Sequence, residues 1–189
     1  MADKVITGPK TRWSYVNVLE PKSINGSEPK YSISLLIPKD DVETVNKIKQ
    51  AIQAAYAAGK DRLSNGKNVP PLSALRTPLR DGDTDPNHAG DPVYANHYFL
   101  NANSKTRPGI VDSALNPIMS ADDIYSGCYG RASISFYAYN ASGNKGIACG
   151  INNLMKCEDG ERLGGHASAE DDFKGYGTLG GSLDNDFMS

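Results

Sequence analysis

The residue types with the clearest chemistry lie in one strand-like segment, residues 128–139. Every second side chain in this segment is small or apolar, and the side chains between them are polar or aromatic, which is the period of a half-buried β-strand. The polar face carries one arginine and three tyrosines: Tyr129, Arg131, Tyr137 and Tyr139. Aromatic rings beside a guanidinium suit stacking on nucleobases and contact with phosphates. Tyrosine is also a common strand former that needs no function when exposed, so the pattern leaves both interpretations open.

Other aromatic and basic side chains could extend this surface. An aromatic strand-like run at residues 93–102 is followed by two cations, and a third lies in the turn after residue 139. A strand at residues 12–19 places the single tryptophan and a tyrosine on one face, and the sequence does not decide whether that face is buried. These segments add six candidate nucleic-acid-binding residues: Trp13, Tyr15, Tyr98, Lys105, Arg107 and Lys145.

Motifs for catalysis are missing from the sequence. There is no P-loop, no G-x-G-x-x-G after a strand and no nucleophile elbow. The acidic run at residues 81–85 resembles part of a calcium loop, but Pro86 stands where an EF-hand requires glycine. The sequence therefore predicts a non-enzymatic protein with no cofactor and no metal.

Composition sets the broad class of protein. The chain has 189 residues, 39% of them hydrophobic, and a formal net charge of −2, which is ordinary for a globular protein. The three cysteines, Cys128, Cys149 and Cys157, have no C-x-x-C spacing and are interpreted as reduced core thiols. No segment has the apolar length of a signal peptide or a membrane span. We expect a protein without membrane association that works in the cytoplasm.

Charge is divided unevenly along the chain. Residues 1–157 contain 18 Lys and Arg against 14 Asp and Glu, whereas residues 158–189 contain 2 against 8. The acidic part is rich in glycine, has isolated aromatics and shows no helical or strand period. We predict a folded domain at residues 1–165 and a flexible acidic tail at residues 166–189. Carboxylates and aromatic rings on a flexible tether would compete with nucleic acid for a basic aromatic groove, although such a tail can also serve only solubility.

The remaining patterns indicate short strands and one clear α-helix. Tyr31, Ile33, Leu35 and Ile37 alternate with serines, which predicts a second strand that pairs with the one at 12–19. A helix is predicted after Asp40, placed as a capping residue three positions before Glu43, and it ends at Gly59. Residues 65–90 form a long irregular connection that we expect to border a binding surface or to be poorly ordered. A long strand from residue 146, with Ile147, Cys149 and Ile151 inward, follows a six-residue turn at 140–145.

Four stretches resemble a family of phage-encoded single-stranded DNA-binding proteins. Residues 126–140 read SGCYGRASISFYAYN and residues 143–148 read GNKGIA, and residues 14–22 and 31–39 match in the same order. The resemblance implies an OB-fold-like antiparallel barrel that coats single-stranded DNA during replication or recombination in the host cytoplasm. It also implies an acidic tail that binds replication or recombination proteins, through Asp184, Asp186 and Phe187, and whose removal admits double-stranded DNA. The alternative is a protein-interaction or recombination accessory module that uses the aromatic face.

Overall fold

The structure, a computed structural model, describes residues 4–23, 26, 28–64 and 66–163. Within these residues the α-helices are α1 (Val42–Ala58) and α2 (Lys60–Leu63), and a 3₁₀ turn spans Leu72–Ala74. The strands are β1 (Lys4–Ile6), β2 (Arg12–Lys22), β3 (Lys30–Pro38), β4 (Arg80–Asp81), β5 (His97–Ser104), β6 (Gly109–Val111), β7 (Tyr129–Ala141) and β8 (Asn144–Glu158). The prediction of a mainly β protein with one long helix is confirmed.

Five of the strands close into a barrel. The pairing runs β2–β3–β5–β8–β7 and returns to β2 through Arg12 and Tyr129. The sequence predicts an antiparallel barrel, but the β5–β8 contact, at Asn103 and Gly150, is parallel. The other four contacts of the ring are antiparallel. Strands β1, β4 and β6 extend the sheet by pairing with β7, β5 and β8, respectively. A partly open, five-stranded barrel of this kind is the OB-fold.

The long β7–β8 hairpin supplies much of the barrel wall. Alternate residues of its first strand, from Cys128 to Ala138, are buried, and the side chains between them are not, as the sequence pattern predicts. Ile147, Cys149 and Ile151 of β8 are buried opposite them. The connecting turn is shorter than the predicted six residues, because Ser142 and Gly143 both have positive φ and close a two-residue hairpin turn.

Helix α1 packs its apolar stripe against the barrel. Val45, Ile48 and Ile52 are buried in the main core, whereas Val42 is exposed at the first turn. The helix cap is Asp41, whose carboxylate accepts a hydrogen bond from the Thr44 backbone N at 3.3 Å. The predicted cap at Asp40 is therefore wrong by one residue, since the side chain that reaches the free N–H of the first turn is the next one along.

The connection before β5 covers part of the barrel's outer surface. Ile33, Leu35 and Ile37 of β3 face the main core, but Leu36 on the opposite face is also buried, under Tyr94 and Phe99. The predicted strand at residues 93–102 begins only at His97, because residues 92–96 form turns that bring Tyr94 over β3. This segment therefore belongs to the wall of the surface described below.

An ion-pair clamp holds the same connection in place. The Lys39 ammonium lies 2.7 Å from a carboxylate oxygen of Asp81 and 2.7 Å from one of Asp83. Arg80 and Asp85 form a second pair at 3.7 Å. The acidic run that resembles part of a calcium loop in the sequence thus contacts basic side chains of the protein itself.

Three further expectations from the sequence concern the acidic tail, the cysteines and membrane-spanning helices. The acidic tail, with Asp184, Asp186 and Phe187, lies outside the described residues. The cysteines are free thiols, with Cys128 and Cys149 buried and Cys157 half-buried. In the described part of the chain, no helix has both the length and the apolar character needed to cross a membrane.

Candidate nucleic-acid interface

A row of uncharged residues, four of them polar and one a glycine, crosses the outside of the barrel. Residues directly opposite each other on paired strands share a face, so the register identifies which side chains lie together. Each member of the row pairs directly with the next: Asn17 on β2, Ser32 on β3, Asn103 on β5, Gly150 on β8 and Ser135 on β7. Their neighbours Ile33, Ala102 and Cys149 point into the core. We call these five residues the polar row, and it contains no carboxylate.

One cation extends the polar row beyond the barrel. Lys4 on β1 lies directly opposite Ser135 in the antiparallel pairing of β1 with β7, and its side chain is exposed. A lysine at the end of an otherwise neutral row is suited to contact a phosphate without reading a base. The sequence alone gives no sign of this role, because Lys4 stands in no motif and only the β1–β7 register brings it here.

Two exposed tyrosines flank the polar row. Tyr15 is 65% exposed and Tyr137 is 42% exposed, and they are the aromatic residues among the exposed large apolar side chains of the described chain. Tyr137 follows Ser135 by two positions on β7 and therefore shares its face. Tyr15 lies in a bulge of β2, between the pairing of Ser14 with Ser34 and that of Asn17 with Ser32. Each ring is thus accessible at one end of the row, where it can stack on a base.

The β2 bulge that carries Tyr15 is fixed by hydrogen bonds. Tyr15 has a φ of 47°, a left-handed conformation that is uncommon for a tyrosine. The next backbone N–H, of Val16, donates to the Ser126 hydroxyl at 3.1 Å, and the Asn17 amide donates to the Tyr15 carbonyl at 3.2 Å. Backbone strain that the surroundings hold in place is typical of functional positions.

The Tyr137 ring lies beside the polar row and is influenced by the charge of Lys105. A Cβ added at Gly150 would lie 3.7 Å from a Tyr137 ring carbon, so the ring lies beside this glycine of the polar row. Burial raises the pKa of the Tyr137 hydroxyl, and the nearby positive charge of Lys105 opposes that shift. The Lys105 ammonium is 3.6 Å from a Glu28 carboxylate oxygen, which belongs to the β2–β3 connection. Tyr139, two residues further along β7, is half-buried on the same face.

Tyr129 and Arg131 belong to a different part of the surface. They lie on the same strand as Tyr137, but Tyr129 and Tyr137 are separated by about 26 Å of extended chain. The Arg12 guanidinium lies 5.3 Å from the centre of the Tyr129 ring. Arg131 donates to the Thr7 carbonyl at 3.2 Å. Of the four residues predicted on this face of β7, Tyr137 is two positions from Ser135 of the polar row, Arg131 and Tyr139 are each four positions from it on opposite sides, and Tyr129 is six positions away.

Two predicted residues lie on the core side of their strands. Trp13 is 0% exposed and its indole N–H donates to the Gly130 carbonyl at 3.2 Å, so it is not available to a ligand. Tyr98 is half-buried against the main core, and the ammonium groups of Lys39 and Lys49 lie 5.1 and 5.4 Å from its ring centre. The sequence left the burial of Trp13 open, and the structure places it in the core, so its inclusion among the binding residues is wrong. Tyr98 shares the core-facing side of β5 with Leu100 and Ala102, and its role in binding stays a prediction.

The remaining predicted cations contact backbone carbonyls. Arg107 donates to the Leu19 carbonyl at 3.0 Å, and Lys145 donates to the Ser64 carbonyl at 3.5 Å. Arg107 is exposed and Lys145 is half-buried. Their contribution to binding stays a prediction, as does that of Lys105, whose charge acts on the Tyr137 hydroxyl.

The strand order of the barrel, together with the polar row and its flanking tyrosines, defines an OB-fold whose outer face is suited to an oligonucleotide. The family model described as "Enterobacter phage Enc34, ssDNA-binding protein" matches residues 3–188, so the chain belongs to this family. The resemblance inferred from the sequence is thereby confirmed.

Individual relatives agree with the family. "Putative protein p50" of Acyrthosiphon pisum secondary endosymbiont phage 1 is 31% identical over 166 residues, which cover 85% of this chain and 88% of the relative. The solved structure "Single-stranded DNA-binding protein from bacteriophage Enc34 in complex with ssDNA" is 26% identical with a TM-score of 0.71, covering 85% of this chain and 88% of that one. The structure of gp2.5, a single-stranded DNA binding protein encoded by bacteriophage T7, is 17% identical with a TM-score of 0.59 over 96% of this chain and 98% of that one, and it supports the fold alone.

Proposed function

We propose that this protein is a non-enzymatic single-stranded DNA-binding protein that coats and protects single strands during phage replication or recombination in the host cytoplasm. The observation that carries the proposal is the polar row with exposed Tyr15 and Tyr137 at its two ends. A single strand has unpaired bases that can stack on these rings, whereas a duplex keeps its bases inside. Membership of a family described by single-stranded DNA binding supports the same function.

The character of the face favours binding with little sequence preference. Asparagine and serine side chains can both donate and accept hydrogen bonds, and a tyrosine ring stacks on any base. Phosphate contacts from Lys4 and Lys105 would add affinity without reading bases. Such a surface is suited to cover any stretch of single-stranded DNA.

The acidic tail is part of the proposal. We infer that residues 166–189 compete with DNA for the basic aromatic surface and bind replication or recombination proteins through Asp184, Asp186 and Phe187. Leu163, the last described residue, lies next to the interface, because its backbone N donates to the Ser126 carbonyl at 2.9 Å and Ser126 also holds the β2 bulge. The net charge of −6 in residues 158–189 supplies the polyanionic character. Removal of the tail would then allow double-stranded DNA to bind.

The test is a set of titrations of the full chain against fluorescent oligonucleotides. Single-stranded DNA, duplex DNA and single-stranded RNA of equal length would be compared by polarisation at several salt concentrations. We expect tight binding of single-stranded DNA, weaker binding of the duplex, and affinity that falls steeply with salt. Equal weak binding of all three nucleic acids would refute the proposal and favour the protein-interaction alternative.

A further inference from the structure

A groove of about 610 Å³ lies beside Tyr15. Ser14 and Asn17 of β2 line it, and Tyr94 lines it from the connection before β5. Lys22 and Arg162 also belong to its lining and bring positive charge to it. This volume is within the range of small-molecule sites, about 300 to 1,000 Å³. The groove is therefore large enough to hold one component of an oligonucleotide, and the polar row passes its edge at Asn17.

Tyr94 brings a buried hydroxyl to the groove. The residue is only 4% exposed, and its hydroxyl has no hydrogen-bond partner within the part of the chain that the structure describes. The ring is held rigidly, because it stacks on His88 with centroids 3.8 Å apart and meets Phe99 edge-on at 5.3 Å. Burial raises the pKa of this hydroxyl, and the neighbouring Ser14 and Ser34 hydroxyls act in the opposite direction without making a well-formed hydrogen bond.

An unpaired buried hydroxyl is costly and uncommon in folded proteins. A purely structural role would be filled as well by phenylalanine, which packs the same ring without leaving a polar atom unpaired. The hydroxyl is therefore best explained by a partner from outside the part of the chain that the structure describes. Because Tyr94 lines the groove together with Ser14 and Asn17, a ligand that enters the groove deeply enough to reach this buried hydroxyl can supply that partner.

We propose that this groove is a nucleobase pocket, in which one unstacked base lies against the Tyr15 ring and directs its polar edge toward the Tyr94 and Ser14 hydroxyls. This inference rests on the proposed function, since it names the part of the single strand that the groove receives. Every base edge carries hydrogen-bond acceptors, and a hydroxyl can both donate and accept, so the pocket accepts any base. Lys22 and Arg162 then lie near the phosphates on either side of that base.

The charge around the groove is consistent with a nucleotide. Asp91 also lines it, but its carboxylate accepts the Val93 backbone N–H at 2.9 Å, which partly satisfies the negative charge locally. The Arg162 guanidinium lies 4.3 Å from the centre of the Tyr125 ring, which places its charge beside the groove. With two cations and one hydrogen-bonded carboxylate, the groove is suited to a base whose sugar is joined to phosphates.

The test compares Tyr94→Phe with the unchanged full chain on two probes. The first probe is fluorescent oligo(dT) of about 12 nucleotides, and the second is a sugar–phosphate chain of the same length that carries no bases. Tyr94→Phe should weaken oligo(dT) binding about 3- to 10-fold, the effect of one hydrogen bond. It should leave binding of the abasic chain unchanged and leave the melting temperature equal or higher, because it removes an unpaired hydroxyl. Tyr15→Ala should likewise weaken binding of oligo(dT) and leave binding of the abasic chain unchanged.

Tyr56→Phe provides the matched control. Tyr56 lies on helix α1, outside the groove, and its hydroxyl donates to the Pro70 carbonyl at 2.7 Å. This control should lower the melting temperature and leave both affinities unchanged, the reverse of Tyr94→Phe. The pocket is overturned if Tyr94→Phe binds oligo(dT) as the unchanged chain does, or if it weakens both probes equally. Failure of the unchanged chain to bind either probe would instead overturn the proposed function.

Discussion

Trp13 and Tyr15 are two positions apart on β2, yet Trp13 is 0% exposed and Tyr15 is 65% exposed. A regular strand would place both side chains on one face. The positive φ of Tyr15 and the extra residue in β2 between Ser14 and Asn17 break that alternation. The strand therefore buries its tryptophan and exposes its tyrosine at the same time, which gives β2 both a core anchor and a stacking surface.

The buried position of Trp13 predicts its fluorescence. Because Trp13 is the only tryptophan of the chain and is enclosed in the core, its emission should be blue-shifted and insensitive to iodide. Addition of single-stranded DNA should leave its intensity nearly unchanged, since no base can stack on it. Trp13→Phe should lower the free energy of unfolding by about 1 to 3 kcal/mol, through lost packing and an unpaired Gly130 carbonyl. Strong quenching by DNA would show that the indole is accessible.

Tyr137 is expected to supply stacking energy. Tyr137→Ala should weaken binding of single-stranded DNA by about 1 to 3 kcal/mol, the range for one stacked base. Tyr129→Ala, on the same strand but away from the polar row, is the comparison, and it should change the affinity far less. Fluorescence polarisation measures both variants, and thermal melts verify that they are folded. Equal losses for the two variants would mean that the interface runs along β7 and not across the barrel.

Glu28 is expected to compete with DNA for Lys105. The Lys105 ammonium lies 3.6 Å from a Glu28 carboxylate oxygen. Glu28→Gln should tighten DNA binding at low salt, because it removes the negative charge that pairs with this ammonium. Lys105→Gln should lower the slope of log affinity against log salt by up to about 0.7, the value for one single-strand phosphate contact. Lys47→Gln is the control, because Lys47 pairs with Glu43 on α1 at 2.9 Å. If Lys105→Gln and Lys47→Gln give the same slope, Lys105 makes no phosphate contact.

The Lys39 clamp predicts a pH dependence of stability. Hydrogen bonds from the Lys39 ammonium lower the pKa values of Asp81 and Asp83 below their usual range. Carboxyls with a depressed folded pKa contribute stability above their unfolded pKa, about 3.9, and lose it as pH falls through the folded pKa. Lys39→Met should therefore reduce the melting temperature at pH 7 and have a smaller effect near pH 2. A loss of stability that is the same at both pH values would exclude the clamp as its cause.

Removal of residues 166–189 is expected to strengthen binding. It deletes five acids and one lysine, so the formal net charge changes from −2 to +2. The truncated chain should bind single-stranded DNA several-fold more tightly at low salt, and duplex DNA should benefit at least as much. The advantage should nearly vanish at about 0.5 M salt, where screening shortens the range of the interaction. A truncated chain with unchanged low-salt affinity would leave the tail as a solubilising segment or a docking site for proteins.

The sequence by itself determined the features that depend on local periodicity. The alternation from Cys128 to Ala138 identified the buried face of β7, and the apolar spacing around Ile48 identified α1. Successive side chains of a regular strand point to opposite faces, and those of a helix return to one face every third or fourth residue, so both periods can be read from the sequence. Family membership could also be inferred at this level, since the matching motifs are contiguous runs of residues.

Tertiary structure alone decided which side chains share a surface. Asn17, Ser32 and Asn103 come from three strands far apart in sequence, and only the pairing register aligns them. The β2 bulge places Trp13 and Tyr15 on different sides of the barrel wall, and the Val16 backbone N–H that fixes the bulge donates to the hydroxyl of Ser126, a distant residue. Tyr94 was expected in a strand but forms a wall of the groove, since burial over Leu36 outweighs its strand propensity. Register, bulges and loop packing depend on contacts between distant residues, which periodicity along one segment does not specify.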